Sequence, residues 1–321
     1  MELLRDADID PAPLAGKRVA VIGFGNQGRA QSLNLKDSDV DVAVGLRTGS
    51  LNAAVAEALC LQVMGLEEAA AWADVVMLLA PDEILGRLYA QLEPHLRQGA
   101  ALGFSHGLAI HFNFIAPRAD LDVFMVAPKG PGTALRSLYK AGQGMIALWA
   151  VAQDRSGAAR ELALAYGWAI GCGRAGLIAS SFAEECEADL FNEAAVVWGA
   201  VPEILIAGFD TLVAGGVAEE VAFLECVGEL KLIAELIEAR GIAGMREAIS
   251  NTAELGATLG GRRIVDAGVR QRMAEMLAEI RAGKFARQLA GEEAAGYPRL
   301  KQARSEARGL AVEQAFRTLR P

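Results

Sequence analysis

Positive charge is the scarcer sign in this chain. Its 321 residues carry 31 Lys and Arg against 40 Asp and Glu, a formal net charge of −9. That balance disfavours a nucleic acid or an anionic membrane surface as partner. Histidine is rarer still, at three residues, and none combines with the four cysteines (Cys60, Cys172, Cys186, Cys226) into a CxxC or zinc-ligand spacing. The cysteines therefore read as reduced, mostly buried thiols, as in a cytoplasmic protein. No apolar signal core follows the first methionine, and Gly or charge interrupts the apolar stretches before they reach the length of a membrane span. What is abundant is apolar residues, at 53%, with 22% charged. That composition suits a folded chain of two ordinary domains and excludes disorder.

The first half alternates strand and helix patterns. Arg18–Gly23, Val40–Gly45, Asp74–Leu79, Ala101–Ser105, Asp122–Val126 and Met145–Val151 read as strands, with a helix over Gln27–Leu35 and an Ala-rich segment at Ala53–Cys60. This predicts a doubly wound α/β fold of Rossmann type, its parallel sheet covered by helices on both faces. Near Ser180 the β-rich runs stop. Helical periodicity takes over, broken at Pro202, Gly215-Gly216, Gly241, Gly260-Gly261, Gly283 and Gly296. The expected division is an α/β domain over residues 1–181 and an all-α domain over 182–321.

Gly23-Phe24-Gly25-Asn26-Gln27-Gly28 is a GxGxxG placed after a strand and before a helix. Alone it could be a strand–helix turn without ligand; its context favours a dinucleotide, with pyrophosphate at the helix N-terminus. The second strand ends in Gly45-Leu46-Arg47-Thr48-Gly49-Ser50-Leu51-Asn52, without the carboxylate that would hold a ribose 2′-hydroxyl. Arg47 can pair with a 2′-phosphate, and Thr48, Ser50 and Asn52 add neutral donors, so NADPH is favoured over NADH. The alternative is an ordinary polar loop. Two carboxylate pairs at i,i+4 spacing, Asp189/Glu193 and Glu225/Glu229, lie in apolar helical segments. They are either solvated acids or oxygen ligands for a hard divalent cation such as Mg²⁺, and spacing leaves both readings open.

Further segments give a resemblance. They are Gly23–Gly28, Gly45–Ser50, Ser105-His106-Gly107, Ile110-His111-Phe112, Val126–Gly132 (VAPKGPG), Asp189–Glu193, Glu229–Ile233 (ELKLI) and Ile249–Glu254 (ISNTAE). In order and spacing over nearly the whole chain, they resemble ketol-acid reductoisomerases of the short class. The resemblance implies a Rossmann-like domain followed by a knotted, dimer-forming helical domain. It implies Mg²⁺-assisted alkyl migration in a 2-hydroxy-3-keto acid such as 2-acetolactate, then NADPH reduction to a 2,3-dihydroxy acid, as in branched-chain amino acid biosynthesis. It further implies two Mg²⁺ ions, with Asp189 bridging, Glu193 on one, and Glu225 and Glu229 on the other. In that class the second pair comes from the partner subunit, which implies a homodimer with shared active sites, or a larger assembly built from it. His106 and Lys129 would handle protons beside the nicotinamide, Ser250 would bind substrate, and Asp82 and Gly132 would lie on the cofactor side. From the residues alone His106 could equally be a loop residue with its polar atoms satisfied, and Lys129 a surface lysine. His95 reads as exposed and His111 as structural.

The sequence also departs from the family pattern, though every proposed metal, lysine and serine position survives. Asn192 stands for Gly, Ala194 for Gln, Gly228 for His, Ser105 for Ala, Trp198 for Cys, Val197 for Leu and Ala234 for a larger aliphatic; Gly144–Trp149 also differs. The expected consequence is a reshaped substrate pocket around Val197, Trp198 and Ala234. An ideal helix through this segment, however, sets Trp198 opposite Asp189, where it would pack on a neighbouring helix. The alternatives are a paralogue acting on another keto acid, or a non-catalytic nucleotide-binding subunit.

Overall fold

A computed structural model of the chain describes residues 2–320. Two compact units divide at Cys186/Glu187. The first is built on one sheet of nine strands: β1 (Leu3–Leu4), β2 (Arg18–Ile22), β3 (Asp41–Leu46), β4 (Gln62–Gly65), β5 (Val75–Leu78), β6 (Ala101–Phe104), β7 (Asp122–Pro128), β8 (Ala147–Gln153) and β9 (Leu177–Ala179), in spatial order β1-β9-β8-β7-β6-β5-β2-β3-β4. The helices between them are α1 (Asn26–Asp37), α2 (Asn52–Ala58), α3 (Leu66–Trp72), α4 (Leu85–Leu92), α5 (Leu108–His111), α6 (Gly132–Lys140) and α7 (Ala159–Ala169).

Strand periodicity sorts the core. Val19, Val21, Val75, Met77, Phe124 and Val126 point into one buried layer. Their neighbours Ala20, Ile22, Val76, Leu78, Val123 and Met125 point into the other. Helices cover both faces, as the near-continuous apolar strands require.

The sheet is not wholly parallel, which corrects the sequence expectation. β7 and β8 pair antiparallel with Pro128 opposite Ala147, as do β1 and β9. The reason is local. After β7 the short α6 does not carry the chain back along the sheet; the turn at Gly142 (φ 73°) returns it to the end it left, where Lys129 N–H donates to Ile146 C=O at 2.9 Å. The remaining pairs, including β2 with β3 and β5, are parallel.

The division between units falls within α8 (Phe182–Ala195). The second unit continues through α9 (Ala200–Ala214), α10 (Glu219–Phe223), a π-helical turn (Leu224–Gly228), α11 (Leu230–Ala248), α12 (Asn251–Ile264), α13 (Ala267–Arg281), α14 (Lys284–Ala294), α15 (Pro298–Arg308) and α16 (Ala311–Leu319). Two expected breaks are absent: Pro202 sits in the first turn of α9, where its missing N–H is harmless, and α12 runs unbroken through Gly260-Gly261. Gly241 kinks α11 (φ 67°), and Gly215-Gly216, Gly283 and Gly296 lie between helices. One stretch, Phe182–Ala214, is long and apolar enough by length and composition to cross a membrane, contrary to the reading that no stretch reaches that length. It is two helices, interrupted at residues 196–199.

Candidate active site

The glycine turn forms at the carboxyl end of β2. Gly23 takes φ 107°, and a Cβ there would run into the backbone of Leu79 and Ala80; a Cβ on Gly28 would collide with the Gly23 carbonyl. Only glycines let this turn fold down onto the sheet and α1 start where it does. Gly25 is the N-cap of α1, supplies no side-chain cap, and has open space where a Cβ would stand. The first-turn N–H groups therefore face an open region with the positive end of the helix dipole behind them. A cavity of about 600 Å³ opens here, lined by Phe24, Gly25, Asn26, Arg29, Gly132 and Thr133 among others. These features fit a pyrophosphate.

Neighbouring loops are fastened to this turn. Asn26 Oδ1 accepts from Thr133 N–H at 3.0 Å, and Gln27 Nε2 donates to Gly130 C=O at 2.8 Å. Gly132 is buried against the Asn26 backbone, a packing position at the start of α6. Arg47 and Thr48 are exposed after β3. Ser50 Oγ accepts from Asn52 N–H, and Asn52 Nδ2 donates to Phe24 C=O, both at 3.3 Å. Asn52 thus ties the ribose-side loop to the glycine turn.

A second, smaller cavity of about 150 Å³ is lined by Gln27, Asp82, Ser105 and His106, at the carboxyl ends of β5 and β6. His106 Nδ1 lies 3.0 Å from Asp82 Oδ2. Burial pushes the imidazole toward its neutral form, but the Asp82 hydrogen bond, a bond to the Cys186 thiol and the charges of Asp82 and Glu185 outweigh it. His106 is held protonated well above the usual histidine range. Lys129, at the end of β7, donates to Glu185 Oε1 at 2.7 Å, and Gly107 N–H donates to Glu185 Oε2 at 2.8 Å. The Glu185 side chain is 1% exposed, so both its oxygens are satisfied inside the protein. Gly107 is required: a Cβ would strike the Phe182 carbonyl at the start of α8. Sequence reading missed Glu185. Its signal was available, since Glu185, Asp189 and Glu193 recur at i, i+4 and i+8 on one helix.

The remaining expected residues lie in the second unit. Asp189 is half-buried on α8, whereas Glu193, Glu225 and Glu229 are exposed in the single chain. Apolar helices therefore do not desolvate these three carboxylates within one chain. Among the described residues, no three of the four acids bring ligand atoms within 4.8 Å of one another. Glu225 lies on the π-helical turn, an irregularity frequent at functional sites, and Glu229 follows it. As a donor set the acids are all oxygen, which fits a hard divalent cation. Ser250 is the N-cap of α12, its Oγ accepting from Ala253 N–H at 3.2 Å. Trp198 does not take the ideal-helix position opposite Asp189, because α8 ends at Ala195; Val197 and Trp198 sit in the following turn, Trp198 being 67% exposed. Ala234 lines an apolar cavity of about 740 Å³ with Pro202, Ile206, Phe223, Gly228 and Lys231 among others, and neither Val197 nor Trp198 shares it.

Comparison with known proteins agrees with this geometry. Residues 13–176 match the family described as acetohydroxy acid isomeroreductase, NADPH-binding domain, and residues 182–321 match ketol-acid reductoisomerase, C-terminal domain. An NADH-preferring ketol-acid reductoisomerase from an uncultured archaeon superposes with a TM-score of 0.96 at 41% identity, covering 100% of this chain and 98% of that one. A semialdehyde dehydrogenase NAD-binding protein from Cupriavidus necator shares the fold alone (TM-score 0.62, 21% identity, covering 82% and 99%). So does pyrroline carboxylate reductase from Plasmodium falciparum (0.52, 13%, 84% and 98%). With both halves matched and one relative aligned end to end, the chain belongs to the ketol-acid reductoisomerase family, enzymes that are oxidoreductase and isomerase at once.

Proposed function

We propose that the chain rearranges a 2-hydroxy-3-keto acid such as 2-acetolactate with the aid of two Mg²⁺ ions and reduces the product with NADPH, in the cytoplasm. The observation that carries this reading is the convergence of Asp82, His106, Lys129 and Glu185 beyond the carboxyl ends of parallel strands, where the glycine turn also lies. Asp189 and Glu193, with a partner's copies of Glu225 and Glu229, would hold the metal ions. Bound there, Mg²⁺ would supply Lewis-acid stabilisation of developing negative charge, and NADPH the reducing equivalent. The chain's own residues do the rest. Asp82 orients His106 and keeps a proton on it. Glu185 holds the Lys129 ammonium at the end of β7, where it can meet substrate oxygens. Ser250 Oγ accepts a backbone bond and still carries its own proton for a substrate oxygen.

Exposed apolar residues of the second unit, among them Leu224, Leu232, Ile242, Leu255, Leu259 and Ile264, support a homodimer that would cover them. Arg47 and the missing carboxylate after β3 favour NADPH. The 41%-identical relative that prefers NADH favours the opposite preference.

The test is an assay with 2-acetolactate, both cofactors and a chelator control. Dihydroxy-acid formation that requires Mg²⁺, with kcat/KM higher for NADPH and that advantage abolished by Arg47→Ala, is expected. Cofactor oxidation without metal would make the chain a plain reductase, and a higher kcat/KM for NADH would reverse the cofactor assignment.

A further inference from the structure

The first unit contains a buried polar chain that the reaction scheme above does not use. Tyr166 Oη donates to Gln31 Oε1 at 2.7 Å. Gln31 Nε2 donates to both Gln27 Oε1 at 3.0 Å and Ser105 Oγ at 2.9 Å. Gln27 Nε2 then donates to Gly130 C=O. Gln31 and Tyr166 are fully buried, and Tyr166 belongs to the apolar layer on one face of the sheet. A polar pair in such a place persists only when its bonds are made.

The direction of this chain is forced from one end. The Gly130 carbonyl can only accept, so Gln27 must turn its amide N–H toward it. Gln27 then presents its oxygen to Gln31, which must turn its own N–H groups that way. Gln31 is left with its oxygen toward Tyr166, and Tyr166 must donate. Burial, with the nearby Cys172, pushes the Tyr166 hydroxyl well above its ordinary range, so the donor is never lost to ionisation. No amide can flip without setting two acceptors face to face.

The far ends of this chain lie at the active site. Gln27 is in the glycine turn, Ser105 precedes His106, and Gly130 follows Lys129. Gln27 and Ser105 both line the 150 Å³ cavity that holds Asp82 and His106. We propose that Gln31, polarised by Tyr166, is a positioning residue that locks the cofactor turn, the His106 turn and the Lys129 turn into one register. This rests on the catalytic reading of His106 and Lys129, but its effect on cofactor binding does not.

The test is a double-mutant cycle on the full-length protein, with NADPH Kd read from nicotinamide fluorescence and steady-state kinetics measured alongside. Tyr166→Phe keeps the ring and removes the donor; it should weaken NADPH about fivefold, the worth of one buried hydrogen bond. In a Gln27→Met background the same substitution should do nothing further, because the effect travels through Gln27. Gln31→Met should lower kcat by about 10–100-fold, the scale of a small misplacement of reacting groups, with KM for the keto acid little changed. If Gln31→Met does not fold, the Tyr166→Phe cycle still decides. Equal effects of Tyr166→Phe in both backgrounds, or a lowered Tm with unchanged Kd and kcat, would overturn the proposal. A wild-type protein that binds NADPH yet turns over no keto acid would defeat the functional reading, while the Kd cycle would still judge the network.

Discussion

The two units use apolar residues in opposite ways. In residues 2–186 the strands and helices bury a continuous double layer, and the fully buried amides Gln31 and Asn34 are bonded within the same unit. Beyond Glu187 the buried apolar set is small, centred on Phe209, Ala222, Phe223, Val312 and Ala315. Among the described residues, all the exposed large apolar side chains but four (Leu3, Leu51, Val55 and Ile146) lie in the second unit. Helices that leave Leu, Ile and Val in water along their length are half of a core. The first unit is thus explained by its own sequence, whereas the exposed apolar side chains of the second fit the homodimer proposed above. A chain whose cofactor domain is self-sufficient and whose acid-bearing domain is not would couple catalysis to assembly.

The sharpest way to break that contrast is to separate binding from chemistry. On the proposal that Asp189 holds Mg²⁺, Asp189→Asn should lower turnover by roughly 10³-fold, since the ions' charge stabilisation would supply several kcal/mol. NADPH affinity, a property of the first unit, should be unchanged in the same variant. A parallel loss of NADPH binding in fluorescence titration would show that the acids serve the cofactor turn instead.

Stability should divide along the same line. Phe124→Ala empties a fully buried site packed against Tyr166 and should destabilise the first unit by about 3–5 kcal/mol in urea unfolding. Leu259→Ala, at a position 64% exposed in the single chain, should change unfolding by less than about 0.5 kcal/mol at low protein concentration. At high concentration its cost should grow, because the side chain then leaves water. A Leu259→Ala cost independent of concentration would mean that the second unit needs no partner.

Legibility in the sequence follows the same contrast. Strands buried on both faces, such as Arg18–Ile22 and Asp122–Pro128, announce themselves as apolar β-branched runs. The short β1 and β9 do not: they hold two and three residues, too few for periodicity to register, and β4, four residues long like β5 and β6, is exposed or half-buried throughout where those two are fully buried. β8 was read as a strand, but its antiparallel direction was hidden because that depends on where α6 returns the chain. At the site, the glycine turn and His106 were legible as motifs. Glu185 showed only as one more acid in the i, i+4, i+8 spacing of α8; its role depends on Lys129 and Gly107, which are distant in sequence and adjacent only in the fold. Ser250 was read as a substrate ligand, and a helix cap uses the same Ser-x-x spacing. The π-helical turn that carries Glu225 has no periodicity that distinguishes it from an α-helix.

Thiol chemistry sharpens the comparison on a smaller scale. Burial pushes Cys172 up to about 12, and raises Cys186 against the opposing influence of His106. Cys60 is exposed and Cys226, in the second unit, is half-buried. With a disulfide reagent Cys60 should react first, and Cys172 and Cys186 only on unfolding. Cys226 should react more slowly as protein concentration rises, if association covers its unit. Labelling of Cys172 at the rate of Cys60 would show that the first unit opens far more readily than its packing implies.

The smallest expected effect tests how polar links close within the first unit. Arg118 binds Asp120 through both carboxylate oxygens at 2.9 Å and also donates to the carbonyls of Glu93, Leu96 and Arg97, joining its own loop to the 93–97 segment. The Arg118 hydrogen bonds, helped by Gly99 N–H, hold the Asp120 carboxyl down to about 2. Because the folded pKa lies below the ordinary value of about 3.9, the contribution is present above that pH and fades as pH falls toward 2. Asp120→Asn should therefore lower stability slightly at neutral pH and by much less near pH 2, where the carboxyl is half protonated, with the pair mostly screened by solvent. Urea midpoints measured between pH 2 and 7 would show it. A gap between wild type and Asp120→Asn that persisted undiminished at the acid end would mean that Arg118 acts through its carbonyl bonds alone, and that the charge on Asp120 is incidental to the link.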